Sequence, residues 1–222
     1  MITVHHLENS RSQRVLWLLE ELGVDYEIKR YERNKKTSLA PPELKKVHPL
    51  GKSPVITDGD RTIAESGAIT EYLIDNYGKD QFKPKPGTEA ALRNTYWMHY
   101  AEGTLMPLMV MTLIFNRVEQ APWIVRPIAK AISGQVKKAY LGPNTKANLA
   151  FVESELAEHT WFSGEDITGA DFQMIFPLEA AAARGGMANQ YPNIKAYVDR
   201  VHARPAYKRG LERGGPYELM GN

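Results

Sequence analysis

ITVHHLENSRSQRVLWLLEELGVDYEIKRY, residues 2–31, is the stretch that decides the fold. Ile2–Leu7 reads as a strand. After a short polar loop, Val15, Leu18, Leu19 and Leu22 repeat at helical spacing until Gly23 supplies a stop. Tyr26–Tyr31 reads as a second strand, and because a helix separates it from the first, a right-handed crossover and parallel pairing are expected.

Further along, Val55–Thr57 and Thr62–Ala64 flank Asp58-Gly59-Asp60, the signature of a hairpin. A helix should follow, with Ser66 as N-cap, Ile69, Tyr72 and Leu73 along one side, and Gly78 at its end. Asp80–Gly87 (DQFKPKPG) has linker composition, and beyond it every pattern is helical: Thr88 to about Val118, Thr145–His159, Thr168–Arg184, Pro192–His202 and a piece after Pro205. Thr168-Gly169-Ala170-Asp171 carries a capping-box pattern with Ile167 and Phe172 placed as a staple. The expected organisation is an α/β domain over 1–79, a linker over 80–87 and an all-α domain over 88–222.

Composition narrows the function. The chain of 222 residues is 43% hydrophobic and can bury a sizeable core. Its formal charge of +2 with scattered Lys and Arg argues against nucleic acid as a partner. The opening enters a strand directly, without a secretory pattern, so the cytoplasm is the expected compartment. The apolar run Leu105–Phe115 contains Pro107 and falls short of the ~20 residues of a membrane span. With no cysteine, any sulfur chemistry must use a sulfur brought in by a ligand. His5 and His6 point to opposite faces of a strand and cannot converge on one ion; His99 with Glu102 and Glu155 with His159 have no third ligand nearby, so no metal is expected.

The order β-α-β, link, β-β-α resembles the thioredoxin-like fold, which by itself names no function. Ser10-Arg11-Ser12-Gln13-Arg14, His48-Pro49-Leu50-Gly51-Lys52-Ser53-Pro54-Val55 and Ala64-Glu65-Ser66-Gly67-Ala68-Ile69 together resemble motifs of the glutathione transferase family. Ile167–Asp171 and Tyr191–Ala206 extend the resemblance through the helical half. The resemblance implies an N-terminal thioredoxin-like domain followed by a C-terminal helical bundle. It also implies a cytosolic homodimer that uses glutathione as co-substrate, needs no other cofactor, and conjugates an apolar electrophile in detoxification. Glutathione-dependent peroxidase or isomerase activity, or ligand binding without turnover, are the alternatives.

Glutathione presents one ammonium, two carboxylates and a thiol. Glu65 suits the ammonium; the Ser66 hydroxyl and the amides opening its helix suit the adjoining carboxylate. The resemblance implies a cis Ser53–Pro54 bond that turns the Ser53 backbone toward the cysteinyl unit. Lys52, or else Lys35 or Lys36, would meet the glycyl carboxylate. The thiol, with an ordinary pKa near 8.5, needs a donor to its ionised form. Ser10 is the expected donor, with Asn9 and Ser12 as alternatives, and Ser10-x-x-Gln13 also fits a capping box that would occupy the hydroxyl. For the electrophile the expected contacts are Tyr100, Met106 and Tyr217. Gly67 stands where the family often has a larger or charged residue. Glu119–Asn144, with Trp123, Ile124 and Val125 among Lys and Arg, reads either as an extra helix roofing the site or as a surface element touching a membrane, the former being preferred.

Overall fold

A computed structural model describes residues 1–182 and 187–218. Strand β1 (Ile2–Leu7) leads to helix α1 (Ser12–Leu22) and back to β2 (Tyr26–Tyr31). β1 and β2 pair in parallel, Ile2 opposite Tyr26 and Leu7 opposite Tyr31. On its other edge β1 pairs antiparallel with β3 (Val55–Asp58), which turns through Gly59, at φ +56°, into β4 (Arg61–Ala64). The sheet order is β2-β1-β3-β4, and α2 (Ser66–Tyr77) follows directly. The parallel opening unit and the hairpin are those the sequence predicts, because each rests on a local signal: helical spacing between two strands, and a tight turn rich in Gly and Asp.

The expected long helix from Thr88 is instead α3 (Glu89–Tyr100), a π turn over Ala101–Leu105 and α4 (Met106–Val118). Pro107 supplies the reason. In an unbroken α-helix its ring would collide with the carbonyl of Gly103, and the wider π turn ending just before it opens that space. The same device recurs where α5 (Arg126–Val136) passes through a π turn over Lys137–Leu141 into α6 (Gly142–Glu158), ahead of Pro143. There a Cβ on Gly142 would stand 2.9 Å from the Lys137 carbonyl oxygen, so only glycine fits. Helix α6 thus begins before the predicted Thr145.

Helix α7 (Gly169–Ala182) is enclosed by its neighbours along nearly its whole length and forms the centre of the helical half. The predicted end at Arg184 lies outside the described residues. α8 (Met187–Gln190), α9 (Pro192–Ala203) and α10 (Pro205–Gly214) complete the chain. α10 returns to the N-terminal half and lies on α1. A Cβ on Gly210 would approach the Trp17 nitrogen to 3.2 Å, and one on Gly214 would meet Leu16 Cδ1 at 2.8 Å, so the two glycines permit this close crossing. Arg209 and Arg213 of α10 both donate to Glu20 of α1, at 2.7 and 2.9 Å.

The cap of α7 forms around Asp171, which is wholly buried. Its carboxylate accepts the Thr168 amide at 2.8 Å and the Phe162 amide at 3.1 Å, while the Tyr197 hydroxyl donates to it at 3.3 Å. Burial pushes this carboxyl up to about 6 against the opposing pull of those hydrogen bonds. Asp171→Ala would leave two buried N–H groups unpartnered. It should cost about 2–5 kcal/mol of stability in denaturant unfolding; a loss under 1 kcal/mol would show that the cap is dispensable.

Candidate functional site

The loop between β1 and α1 turns through Asn9, at φ 48°, and delivers Ser10 to the start of the helix. Ser10 Oγ accepts the Ser12 amide at 3.2 Å and lies 2.7 Å from Ser12 Oγ. Ser12 Oγ in turn lies 2.8 Å from His6 Nδ1. The proton order along this chain follows from the histidine. Burial, helped by nearby Arg30, pulls His6 down to about 4, so the ring is neutral near pH 7; its hydrogen bond to the Gly214 backbone uses the remaining nitrogen as donor. Nδ1 therefore accepts from the Ser12 hydroxyl, and the Ser12 oxygen is left to accept from Ser10.

Ser12 is fully buried and turned inward by this arrangement. The capping box does not form: Ser10 Oγ bonds the amide two residues on, the Gln13 backbone N–H donates to the Ser10 carbonyl at 3.3 Å, and the buried Gln13 side-chain amide has no partner among the described residues. The Asn9 side chain accepts the Glu218 amide at 2.8 Å, tying the C-terminal segment to this loop.

At the start of α1, the N-cap residue Arg11 and Arg14 converge on Glu102 of the π turn. Arg11 Nε donates to Glu102 at 2.9 Å and Arg14 at 2.6 Å. Arg14 is buried and also donates to the Gln173 carbonyl at 2.7 Å and to Ser66 Oγ at 3.0 Å. Burial works to raise the Glu102 carboxyl, but the two guanidinium groups hold it below its ordinary value.

The Ser53–Pro54 peptide is cis, as the resemblance implied. Ser53 Oγ donates to the His5 carbonyl at 2.9 Å, fixing this bend on β1. At the start of α2, Glu65 occupies the N-cap position with φ 71° and ψ 123°, a conformation non-glycine residues rarely adopt. Ser66, expected as N-cap, is the first helical residue, and its hydroxyl donates to Gln173 Oε1 at 3.1 Å. The amides of Ser66, Gly67 and Ala68 open the helix without intrahelical acceptors.

These pieces line one cleft of about 220 Å³, whose walls include Arg11, Lys52, Ser53, Pro54, Glu65, Ser66 and Glu102. The cleft thus gathers Lys52, Ser53, Pro54, Glu65 and Ser66, all named from the sequence, and adds Arg11 and Glu102, which that reading gave no role in the site. No local spacing could have found the Arg11–Glu102 pair, since its partners are far apart in the chain and meet only across the two halves. Cations, carboxylates and open helix amides gathered in one cleft have the chemistry to suit a zwitterion bearing additional carboxylates.

Of the residues named for an electrophile, Tyr100 is committed to the helical interior: its hydroxyl donates to Asn148 at 2.5 Å and its ring packs on Trp97, with centroids 5.0 Å apart. The aromatic and thioether signal that singled it out is equally the signal of a core residue. The Tyr217 hydroxyl donates to buried Glu179 at 2.7 Å. Met106 is buried at the foot of a row on α4, Met106–Val110–Leu113–Arg117, spaced three or four residues apart on one face. Val110 and Leu113 are exposed, and Arg117 at the far end donates to Ser38 of the N-terminal half at 3.0 Å. Among the described residues no group of three or more His, Asp or Glu could hold a metal.

Comparison with known proteins agrees with this geometry. The family model Glutathione S-transferase, N-terminal domain, matches residues 1–75, and Glutathione S-transferase, C-terminal domain, matches residues 106–205. The chain is 40% identical to Glutathione S-transferase 3 of Schizosaccharomyces pombe, over 96% of this chain and 88% of that protein. It is 32% identical to Glutathione S-transferase 1 of Saccharomyces cerevisiae, over 96% and 95%. A crystal structure of a glutathione S-transferase from Actinobacillus pleuropneumoniae superposes with a TM-score of 0.80 at 35% identity, covering 100% of this chain and 97% of that one. An N-terminal thioredoxin-like half, a helical C-terminal half, a cleft suited to a zwitterion at their junction and relatives of this kind along the whole chain make this protein a member of the glutathione S-transferase family of enzymes.

Proposed function

We propose that this enzyme transfers the glutathione thiolate to apolar electrophiles, acting as a cytoplasmic homodimer in detoxification. The observation that carries the reading is that Glu102, a wall of the charged cleft, lies one turn before Met106, where the apolar row of α4 begins. Glu65 receives the γ-glutamyl ammonium. The neighbouring carboxylate takes the amides opening α2, because the Ser66 hydroxyl already serves Gln173. Ser53 presents its backbone to the cysteinyl unit, and Lys52 meets the glycyl carboxylate. Arg11, oriented by Glu102, adds positive potential to the same cleft.

The sulfur then lies toward the β1–α1 loop. Ser10 Oγ is held by the Ser12 amide, so only its proton has to turn, from Ser12 Oγ to the thiolate. His6 keeps the Ser12 proton pointed inward and leaves Ser10 as the rotor. An electrophile lies along Val110 and Leu113 with Met106 as floor, where the thiolate attacks it and the leaving group departs or, for an unsaturated carbonyl, the carbanion is protonated. Purified protein assayed with glutathione against aryl halides, unsaturated carbonyls and peroxides tests the reading. Conjugate formation supports it; peroxide reduction alone, or binding without turnover, refutes it.

Three outcomes are expected. Glu65→Gln should weaken glutathione binding by about 1.5–3 kcal/mol, roughly 10- to 150-fold, because a charge-assisted hydrogen bond is lost; unchanged affinity by calorimetry would remove Glu65 from the site. Ser10→Ala should raise the pKa of bound glutathione, with turnover reduced at neutral pH and restored at high pH, where the thiol ionises unaided. An unaltered thiolate titration would exclude Ser10 and point to Asn9. For assembly, Leu92 and Tyr96 of α3 are exposed beside Phe151 of α6, the Tyr96 and Phe151 rings 6.5 Å apart, an apolar surface suited to a two-fold contact. Sedimentation should give twice the 25.0 kDa chain mass, and Tyr96→Glu should shift it toward the monomer.

A further inference from the structure

The link between α4 and α5 exposes apolar side chains that the catalytic reading does not use. Trp123 is 78% exposed, Ile124 70% and Ile128 65%, with Val125 and Ile132 also open to solvent. They do not hang on a loose loop. The Pro122 carbonyl accepts the Val125 and Arg126 amides, both at 3.0 Å, and buried Ser133 donates to the Phe115 carbonyl at 2.9 Å, pinning α5 on α4 by its inner side. Ile124, Ile128 and Ile132, four residues apart, therefore form a fixed stripe on the outer side.

The charge around this stripe has one sign. Residues 120–152 contain no aspartate or glutamate and five cationic residues, Arg126, Lys130, Lys137, Lys138 and Lys146. The carboxylates that bound the span are engaged: Glu119 pairs with Lys137 at 2.6 Å, and Glu153 accepts the Asn193 and Ile194 amides at 2.8 and 2.9 Å. Lys138 is exposed beside the stripe, while Arg126 and Lys130, each two residues from an isoleucine, are exposed on the remaining faces of the helix, where Arg126 Nε donates to the Ala121 carbonyl at 3.0 Å.

We infer that this tip docks on an anionic lipid surface, Trp123 and the isoleucines entering the boundary between headgroups and acyl chains while Lys138 and the cations of the polar faces extend toward the phosphates. An exposed aliphatic stripe with an indole at one end and cations on the other faces has the composition of a helix lying in that boundary. Anionic headgroups supply the negative charge that this face lacks. A second copy does not fit as well, since two such faces would bring like charges together with no carboxylate between them. The contact is peripheral: among the described residues no helix is long and apolar enough to cross a membrane.

The fluorescence of the intact protein offers a direct test, because the other three tryptophans, Trp17, Trp97 and Trp161, are buried and only Trp123 can change its surroundings. Flotation with phosphatidylcholine vesicles, with and without phosphatidylserine, is the companion measurement. The protein should float with phosphatidylserine vesicles at low salt and be released by high salt, with a blue shift of emission. Trp123→Phe should abolish the shift and keep most of the flotation. Trp123→Ser with Ile128→Ser should reduce flotation about tenfold or more without lowering the thermal midpoint, since both side chains are exposed. Absence of flotation at low salt, or flotation undiminished in the double variant, would overturn the inference. So would self-association without vesicles that the double variant removes, which would identify a second copy as the occupant.

Discussion

A buried guanidinium holds the two halves of this enzyme in register. Arg14 leaves α1 with almost no solvent contact, and burial alone would drive its charge out. What keeps it there is a set of acceptors drawn from three other elements: the Glu102 carboxylate from the π turn, Ser66 Oγ from α2 and the Gln173 carbonyl from α7. Gln173 then donates to the Ser66 carbonyl at 3.0 Å and to Thr70 Oγ1 at 2.8 Å, closing the network. A buried charge of this kind is a weak source of net stability but a strong penalty on any misplacement, because each lost acceptor leaves it uncompensated. The geometry of the cleft depends on that penalty, since Ser66 and Glu102 are both acceptors of Arg14 and walls of the site.

Much of this was legible along the chain, and the limits of the reading are physical. The helical spacing of the opening unit, the hairpin turn and the Asp171 carboxylate at the start of α7 each depend on residues close in sequence, and spacing reports such relations well; the Thr168 hydroxyl, expected to cap the Asp171 amide, bonds Ser163 and the Asp171 carboxylate instead. The cleft residues Ser53, Pro54, Glu65 and Ser66 were visible for a similar reason, as each sits at a turn or helix start whose backbone has special demands. Glu102 was noticed only as a neighbour of His99, because its partners Arg11 and Arg14 lie in the other half of the protein. The helix break before Pro107 was hidden differently: the apolar period continues across it, and only the steric requirement of proline reveals that the turn must widen. Tyr100 shows the opposite limit: the helical spacing of an aromatic is the same whether it faces a pocket or the interior, and its hydroxyl bond to Asn148 is visible only in the fold.

The arrangement of α1 also explains how a site assembled from two halves can be ordered before a ligand arrives. Arg14 faces inward and Arg11 faces the cleft, three residues apart on neighbouring positions of the helix surface, and both bind the same carboxylate. Glu102 cannot turn toward solvent without abandoning Arg14, so it holds Arg11 in place as well. The cost of ordering a long arginine side chain is then met in folding rather than at binding, which favours affinity for an anionic group in the cleft. The same logic applies at Ser10. The Ser12 amide fixes its oxygen, and His6, through Ser12, fixes where its proton points, so that in the proposed reaction one rotation of the hydroxyl would turn it toward sulfur. The proposed thiolate activation would then require no side chain to move into the site, because the hydroxyls of this loop are already tied to the sheet.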